Sequence, residues 1–375
     1  MQIASLTKPR EPLWELEPHT AAKHEILRRY LKGWIPKLGS RNRRIVYIDA
    51  FAGPGRYTGG EDGSPIIALK VARDYVGRPL VDQQLKMLFI EPDRERNERL
   101  KSEITALRAS DLAYSAIGAV TLQAEYAAAM ESLWASLEAS RSMLAPTFAF
   151  VDPFGVSGLP YEHLVKLFHY PKTELLINMM YEEMNRFRGT AEFQKHLDSF
   201  FGGPSWKAAF AVADRNERRR AVIDLFKRRL LEAGAKYVQA FEMRNDRNQT
   251  DYLLFFGTQS EVGLEVMKQA MWKVDSSGAF TFSDHTYSKG PMLIGPQPDY
   301  GLLRRQLLER FAGEVVPLSE IRIFVLAETS FLRYKGECLK LLESEGWLDA
   351  VDPPPNRRKG TFADQKQLFK FIAKP

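Results

Sequence analysis

The chain holds a single cysteine, Cys338, among 375 residues, which excludes an internal disulfide and any cysteine-rich zinc site. Its six histidines show no HExxH or comparable ligand spacing, so no metal is expected. No stretch approaches the roughly 20 consecutive apolar residues that a membrane span needs. The opening MQIASLTKPREPLWELEPHT also lacks the apolar run of a signal peptide, so a cytoplasmic protein without membrane contact is expected. GxxxxGK[ST] is absent, which removes a P-loop nucleotide site, and no internal repeat is present. Charge of one sign is not in great excess: 53 Lys+Arg face 47 Asp+Glu, a mild basic bias that is compatible with a polyanionic partner without demanding one. Hydrophobic residues make up 45% of the chain, enough to bury a large core divided into two or three structural units.

Apolar, β-branched runs alternate with helical patterns over the first two thirds of the chain. Residues 20–38 read as an amphipathic helix with Thr20 as N-cap and Ile26, Leu27, Tyr30, Leu31 and Trp34 on one face. RIVYIDAF, LKMLFIEPD, AVTLQAE, TFAFVDPFG and TELLINMMY then read as strands, separated by helices over 65–76, 93–108, 126–139 and 160–168. Such alternation predicts an α/β fold, a mostly parallel sheet covered on both faces. A polar stretch over 188–205 and a helix near 215–233 follow, and KYVQAFEMRN with TDYLLFFGTQ forms an antiparallel hairpin at the sheet edge. Residues 1–40 are an N-terminal helical segment packed on the core, 41–275 a Rossmann-like domain, and 276–299 a Gly-, Pro- and Ser-rich linker. Residues 300–375, three short helices and then strand–loop–strand, have the order of a winged helix-turn-helix.

Strand ends carry the chemical signal. The first strand closes in Asp49-Ala50-Phe51-Ala52-Gly53-Pro54-Gly55, an acid before a glycine-rich turn, placed where the carboxyl edge of such a sheet opens to ligands. Gly53 and Gly55 let the backbone approach the methionine part of S-adenosylmethionine (SAM), and Asp49 can receive its ammonium directly or through water. Glu91, ending the second strand, suits the two hydroxyls of a ribose; Glu125, ending the third, suits the adenine amino group. Asp152, ending the fourth, stands beside the place of a transferable methyl. An ordinary tight turn competes with this reading at any one position, and four acids at four successive strand ends weigh against it. A dinucleotide is disfavoured because Gly59 falls one residue beyond the GxGxxG spacing and the next helix starts only at Ser64-Pro65, leaving a pyrophosphate without its helix N-terminus.

DAFAGPGRY, the GSP at 63–65, FIEPD and FVDPFG, with PHTAAKHEILRRYL upstream, together resemble the three-Cys-motif partner (TcmP) family over most of the chain. The resemblance implies a class I SAM-dependent methyltransferase fold, SAM as cofactor, and a separate cysteine-motif protein encoded nearby as partner. More distantly, the DxFxGxG and DP-aromatic elements are similar to nucleic-acid amino-methyltransferases. Their acidic side chain and proline carbonyl accept the protons of the target amine while an aromatic ring stacks on the base. That similarity implies catalytic roles for Asp152, Pro153 and Phe154. Phe154 takes the place of the second proline in that pattern and Gly155 that of the aromatic, so the chain departs from it where stacking is decided.

His19, Thr20, Lys23, Arg56, Tyr57, Asn178, Glu182 and Glu183 are further residues near the expected pocket, and for each a cap or surface role competes. Basic clusters at Arg41, Arg43 and Arg44 and at Arg215, Arg218, Arg219 and Arg220 read first as solvated faces. In the appended module Arg333, Lys335 and Lys340 on a third helix, with Arg357, Arg358 and Lys359 on a wing, are candidates for contact with DNA, RNA or a partner protein. Over 297–375, however, 13 Lys+Arg oppose 11 Asp+Glu, so protein docking competes evenly. The expected function is methyl transfer from SAM to nucleic acid, a base amine first, with a non-catalytic SAM-fold adaptor or sensor as the alternative.

Overall fold

The computed structural model describes residues 11–77, 85–155, 158–245, 247–275, 277, 280–283 and 298–373. The chain divides into two compact units, Met1–Ala270 with Thr281–Pro291 and Met271–Phe280 with Met292–Pro375. Most of the 276–299 linker expected from composition lies outside the described residues.

The first unit is built on one sheet. Strands β1 (Ile45–Asp49), β2 (Leu85–Ile90), β3 (Gly118–Leu122), β4 (Thr147–Val151), β5 (Thr173–Met179), β6 (Tyr237–Arg244), β7 (Thr250–Thr258) and β8 (Thr281–Ser283) lie in the order β3-β2-β1-β4-β5-β7-β6-β8. Strands β1 to β5 pair in parallel, while β7 is antiparallel to both β5 and β6. The expected α/β fold, a mostly parallel sheet with an antiparallel edge hairpin, is therefore present. Chain order runs outward in one direction from β1 to β3 and in the other from β4 to β5, so the switch point lies between β1 and β4, where Asp49 is in register with Phe150. Crevices for ligands open at such switch points, outside the carboxyl ends of the strands.

Helix α1 (Pro18–Gly39) starts two residues before the Thr20 cap expected from sequence: Pro18 supplies the fixed φ of a first helical position, and Glu17 stands at the N-cap. Its Ile26, Leu27, Tyr30, Leu31 and Trp34 are all buried. Helices α2 (Ser64–Arg73), α3 (Arg94–Ser110), α4 (Tyr126–Ala139) and α5 (Tyr161–His169) alternate with the parallel strands. The polar stretch at 188–205, for which the sequence offered no element, is largely helical. It carries the end of the region after α6 (Tyr181–Phe187), all of α7 (Ala191–Phe201), and the approach to α8 (Trp206–Ala211). In α7 the buried residues Phe193, Leu197, Phe200 and Phe201 recur at helical spacing, and Gly202, with φ 69°, ends the helix in the left-handed region. Helices α9 (Arg215–Glu232) and α10 (Glu261–Val274) flank the hairpin in sequence. Among the described residues no helix is long and apolar enough to cross a membrane, and no cluster of His, Cys, Asp or Glu is placed to hold a metal ion.

In the second unit α11 (Tyr300–Phe311) leads to β9 (Val315–Pro317), α12 (Leu318–Glu328), a π-helical turn at Lys335–Leu339 that continues as α13 (Lys340–Ser344), then β10 (Leu348–Val351) and β11 (Leu368–Phe371). The strands form an antiparallel sheet, β10-β11-β9, in which β9 lay unseen in the sequence because it has three residues. Leu307, Phe311, Ile321, Val325, Leu342, Phe369 and Phe371 are buried in this unit. Cys338 is buried with them and donates to the Tyr300 carbonyl at 3.7 Å; desolvation pushes its thiol up to about 12, which leaves it a packing residue rather than a nucleophile.

Candidate active site

A cleft of about 630 Å³ opens at the switch point, lined by the glycine turn after β1, the Asp152-Pro153-Phe154 segment after β4, Asn178 and Met180 at the end of β5, Asp251 and Tyr252 on β7, and the start of α1. The turn is shaped by its glycines: Gly53 and Gly55 have φ of 64° and 88°, which side chains rarely adopt. A Cβ on Gly55 would come within 3.0 Å of Leu100.

Asp49 is fully buried beside this turn. Tyr47 Oη donates to its Oδ2 at 3.2 Å, while Oδ1 has no hydrogen-bond partner in bonding geometry. Burial pushes the carboxyl up to about 7; neighbouring Ser64, Tyr47 and the Phe51 backbone oppose that shift and the charge of Asp152 adds to it. Ser64 itself lines the cleft, so the incompletely solvated carboxyl lies next to the cavity without forming its wall.

Glu91 is buried too, and its two oxygens accept from backbone N–H groups, Oε2 from Gly53 and Oε1 from Asp93, each at 2.9 Å. It clasps the glycine turn to the start of α3, and a ribose could share it only through remaining lone pairs. Glu125 stands exposed at the N-cap of α4 and does not line the cleft. Of the expected cofactor residues, the structure thus brings Phe51, Gly53 and Gly55 to the cleft, places Asp49 behind it, gives Glu91 a holding role, and leaves Glu125 outside.

Asp152 is held from two sides in the cleft. Lys23 Nζ lies 2.6 Å from Oδ2, and Asn178 Nδ2 donates to Oδ1 at 2.7 Å. The Lys23 side chain is only 6% exposed and its ammonium also lies 4.9 Å from the Tyr252 ring centroid. Next to it His24 is held neutral, its pKa lowered to about 3 by desolvation and then by Lys23. His19 Nε2 faces Glu17 at 3.0 Å and Asp251 at 3.6 Å. Sequence reading had grouped His19, Thr20 and Lys23 with the pocket; it missed His24, Asp251 and Tyr252. The signal was in α1: His19 and Lys23 are one helical turn apart and extend the buried stripe of Ile26, Leu27 and Tyr30 with polar residues.

A second missed element is the segment before α1. Trp14 packs edge-on against Phe154 and Tyr57, with centroids 5.3 and 5.8 Å away, and the Arg96 guanidinium lies 5.1 Å from its ring. Its carbonyl accepts from Thr58 N–H at 3.0 Å. Phe154 therefore packs under an indole. Gly155, with φ 95°, sits where a Cβ would press on the Glu183 carboxylate at 3.1 Å, so the residue replacing an aromatic answers a backbone demand.

In the appended unit the basic candidates separate. Arg357 is turned inward, pairing with the buried Glu343 at 2.7 Å beside Phe362 and Phe369, and Lys335 Nζ donates to the Phe362 carbonyl at 2.7 Å. Arg333, which precedes the third helix rather than lying on it, is exposed, as are Lys340, Arg358 and Lys359.

No family model and no curated protein matches the chain, so the TcmP resemblance rests on its quoted motifs alone. Solved structures with a similar chain trace include precorrin-6y C5,15-methyltransferase from Geobacter metallireducens, with 9% identity, 69% of this chain and 100% of that one covered, and a TM-score of 0.31. They also include a human methyltransferase 10 domain containing protein, with 13% identity, 63% and 83% covered, and a TM-score of 0.31. At such values the ligand has to be read from this chain's own residues.

The buried Asp49 gives a sign to the pH dependence of stability. Its folded pKa, about 7, lies above the ordinary carboxylate value, so the folded state binds the extra proton and this group's contribution to stability is lost as pH rises from about 4 through about 7. Asp49→Asn keeps the shape and removes the charge. Thermal melts across this range should show the substituted chain gaining on the wild type as pH rises; parallel curves would place Asp49 in a solvated environment instead.

Proposed function

We propose that the first unit binds SAM in the cleft at the switch point and transfers its methyl group to a nucleic acid, a base amine being the acceptor to test first. The observation that carries the reading is Asp49, a buried carboxyl with an unpartnered oxygen beside a left-handed glycine turn. A cationic ligand in the adjacent cleft would supply what that carboxyl lacks. The residues present fit the group: Gly53 and Gly55 give room for close approach, and Glu17, Asp152 and Asp251 make the lining acidic, suited to an ammonium and a sulfonium. Bound SAM would supply an electrophilic methyl on sulfur. Asp152, held by Lys23 and Asn178, would accept a hydrogen bond from the acceptor nitrogen through its remaining lone pairs, while Pro153 and Phe154 border the approach. That hydrogen bond would turn the amine lone pair toward the methyl group, and the proton lost by the amine would pass to water.

One observation favours the second reading, a non-catalytic adaptor or sensor that docks a partner protein such as the three-Cys-motif protein of the resembling family. Both Asp152 oxygens are already engaged, and Trp14 covers Phe154, the surface on which a base would stack.

Calorimetry with S-adenosylhomocysteine should give saturable binding that Asp49→Ala weakens by about tenfold or more, in keeping with about 1.5–3 kcal/mol for a charged hydrogen bond. Radiolabel from SAM should enter an RNA, DNA or protein fraction of cell extract with the wild type and fail to do so with Asp152→Ala, while that variant still binds the cofactor. Binding without incorporation into any fraction would favour the adaptor, and incorporation into protein alone would remove nucleic acid as acceptor.

The appended unit, read as a winged helix-turn-helix, would hold nucleic acid through Arg333, Arg358 and Lys359, three of the candidates left exposed in the structure. Replacing these three with alanine should lower affinity for a duplex and flatten log K against log salt by roughly 0.9 per lost phosphate contact. An unchanged slope in a folded variant would assign this face to a protein.

A further inference from the structure

A second cavity, of about 570 Å³, lies at the opposite end of the sheet, where β5 begins and β7 ends. It falls in the size range of small-molecule sites. Tyr30, Trp34, Leu38, Val262 and Val266 give it apolar walls. At its buried side Glu174 accepts from Tyr30 Oη at 2.6 Å and from Thr258 Oγ1 at 2.8 Å, and burial pushes its carboxyl toward the neutral form. The remaining charged residues lining it are Lys37, Arg41 and Lys172, all exposed and drawn from three places: the last turn of α1, the turn after it and the turn before β5.

Among the described residues none of these three cations is ion-paired; Lys172 Nζ donates to the neutral Asn42 Oδ1 at 2.8 Å. Lys172 also holds a left-handed backbone, φ 61°, and its N–H donates to Gln259 Oε1, itself part of the lining, at 3.1 Å. Val262 and Gly263 bring the first turn of α10, the positive end of its dipole, to the same cavity. An apolar interior, whose one lining carboxyl, Glu174, is buried and held by Tyr30 and Thr258, therefore meets a mouth of three cations without ion-pair partners and a helix N-terminus.

We propose that this cavity binds a small amphipathic monoanion, a medium-chain carboxylate, with its apolar body between Tyr30, Trp34 and Val266 and its head group at Lys37, Arg41 and Lys172. The site is separate from the methyl-transfer cleft and does not depend on that function. Isothermal titration of the full chain with decanoate, with decanol as neutral comparator, tests it. One decanoate per chain should bind saturably and more tightly than decanol. The combined Lys37→Ala, Arg41→Ala and Lys172→Ala substitutions should weaken decanoate by about tenfold or more and leave decanol unchanged. Val262→Trp, at a residue 46% exposed and so tolerant of size, should block both ligands while circular dichroism shows an intact fold. Absence of saturable decanoate binding to the wild type, equal binding of decanol, or a triple variant with unaltered affinity would each overturn the proposal.

Discussion

A carboxylate with too little water around it governs the architecture of the candidate active site. Asp49 ends the central strand at 0% exposure, accepts from Tyr47 Oη at Oδ2, and has no partner in bonding geometry at Oδ1. Such a group costs stability unless something positive comes near it. Its neighbours do not supply a cation: Tyr47, Ser64 and Phe51 give only neutral donors, and the nearby acid, Asp152, raises its pKa further. The position is also where the sheet reverses its winding, so the unsatisfied charge and the crevice coincide for reasons of topology.

The rest of the site is arranged to hold that crevice in shape. Glu91 fixes the glycine turn by taking the Gly53 N–H, and α1 contributes Lys23, which fixes Asp152 from across the cleft. A lysine and an aspartate at this degree of burial stabilise each other only with good geometry and further hydrogen bonds, and Asn178 and the Tyr252 ring provide them. Asp152 has a cation and an amide as partners while Asp49 has only neutral donors, so the two acids at adjacent strand ends have unlike surroundings. Trp14, packed over Phe154 and Tyr57, brings the segment before α1 onto the same loops. Entry of a ligand with a flat ring at that point would require the indole to move.

Much of the sheet was legible because its strands are short β-branched or aromatic runs between helices of clear period, and the turn after β1 was legible because Gly53 and Gly55 follow such a run and adopt the positive φ a tight turn needs. The reading went astray where local composition and tertiary packing disagree. The glycines Gly189, Gly202 and Gly203 and the polar composition of 188–205 hid α7, although Phe193, Leu197, Phe200 and Phe201 carry a helical stripe between them. The strand-end acids differ in ways that one dimension does not show: Glu91 accepts from two backbone N–H groups, and Glu125 stands exposed at the N-cap position of α4 without a side-chain cap. Arg357 belongs to a basic run in sequence and to an internal ion pair in space. Long-range partners of this kind, like Lys23 with Asp152, leave no trace in spacing.

Proton release on ligand binding tests the Asp49 account most directly. Titrating S-adenosylmethionine into the protein near pH 6.5, in buffers of different ionisation enthalpy, separates the heat of binding from the heat of proton exchange. Because Asp49 has its pKa raised to about 7, a cation bound beside it should drive off a fraction of a proton per chain, and Asp49→Asn should abolish that release. Binding with no proton exchange, or with an exchange that survives Asp49→Asn, would contradict the assignment of the cation to this carboxylate.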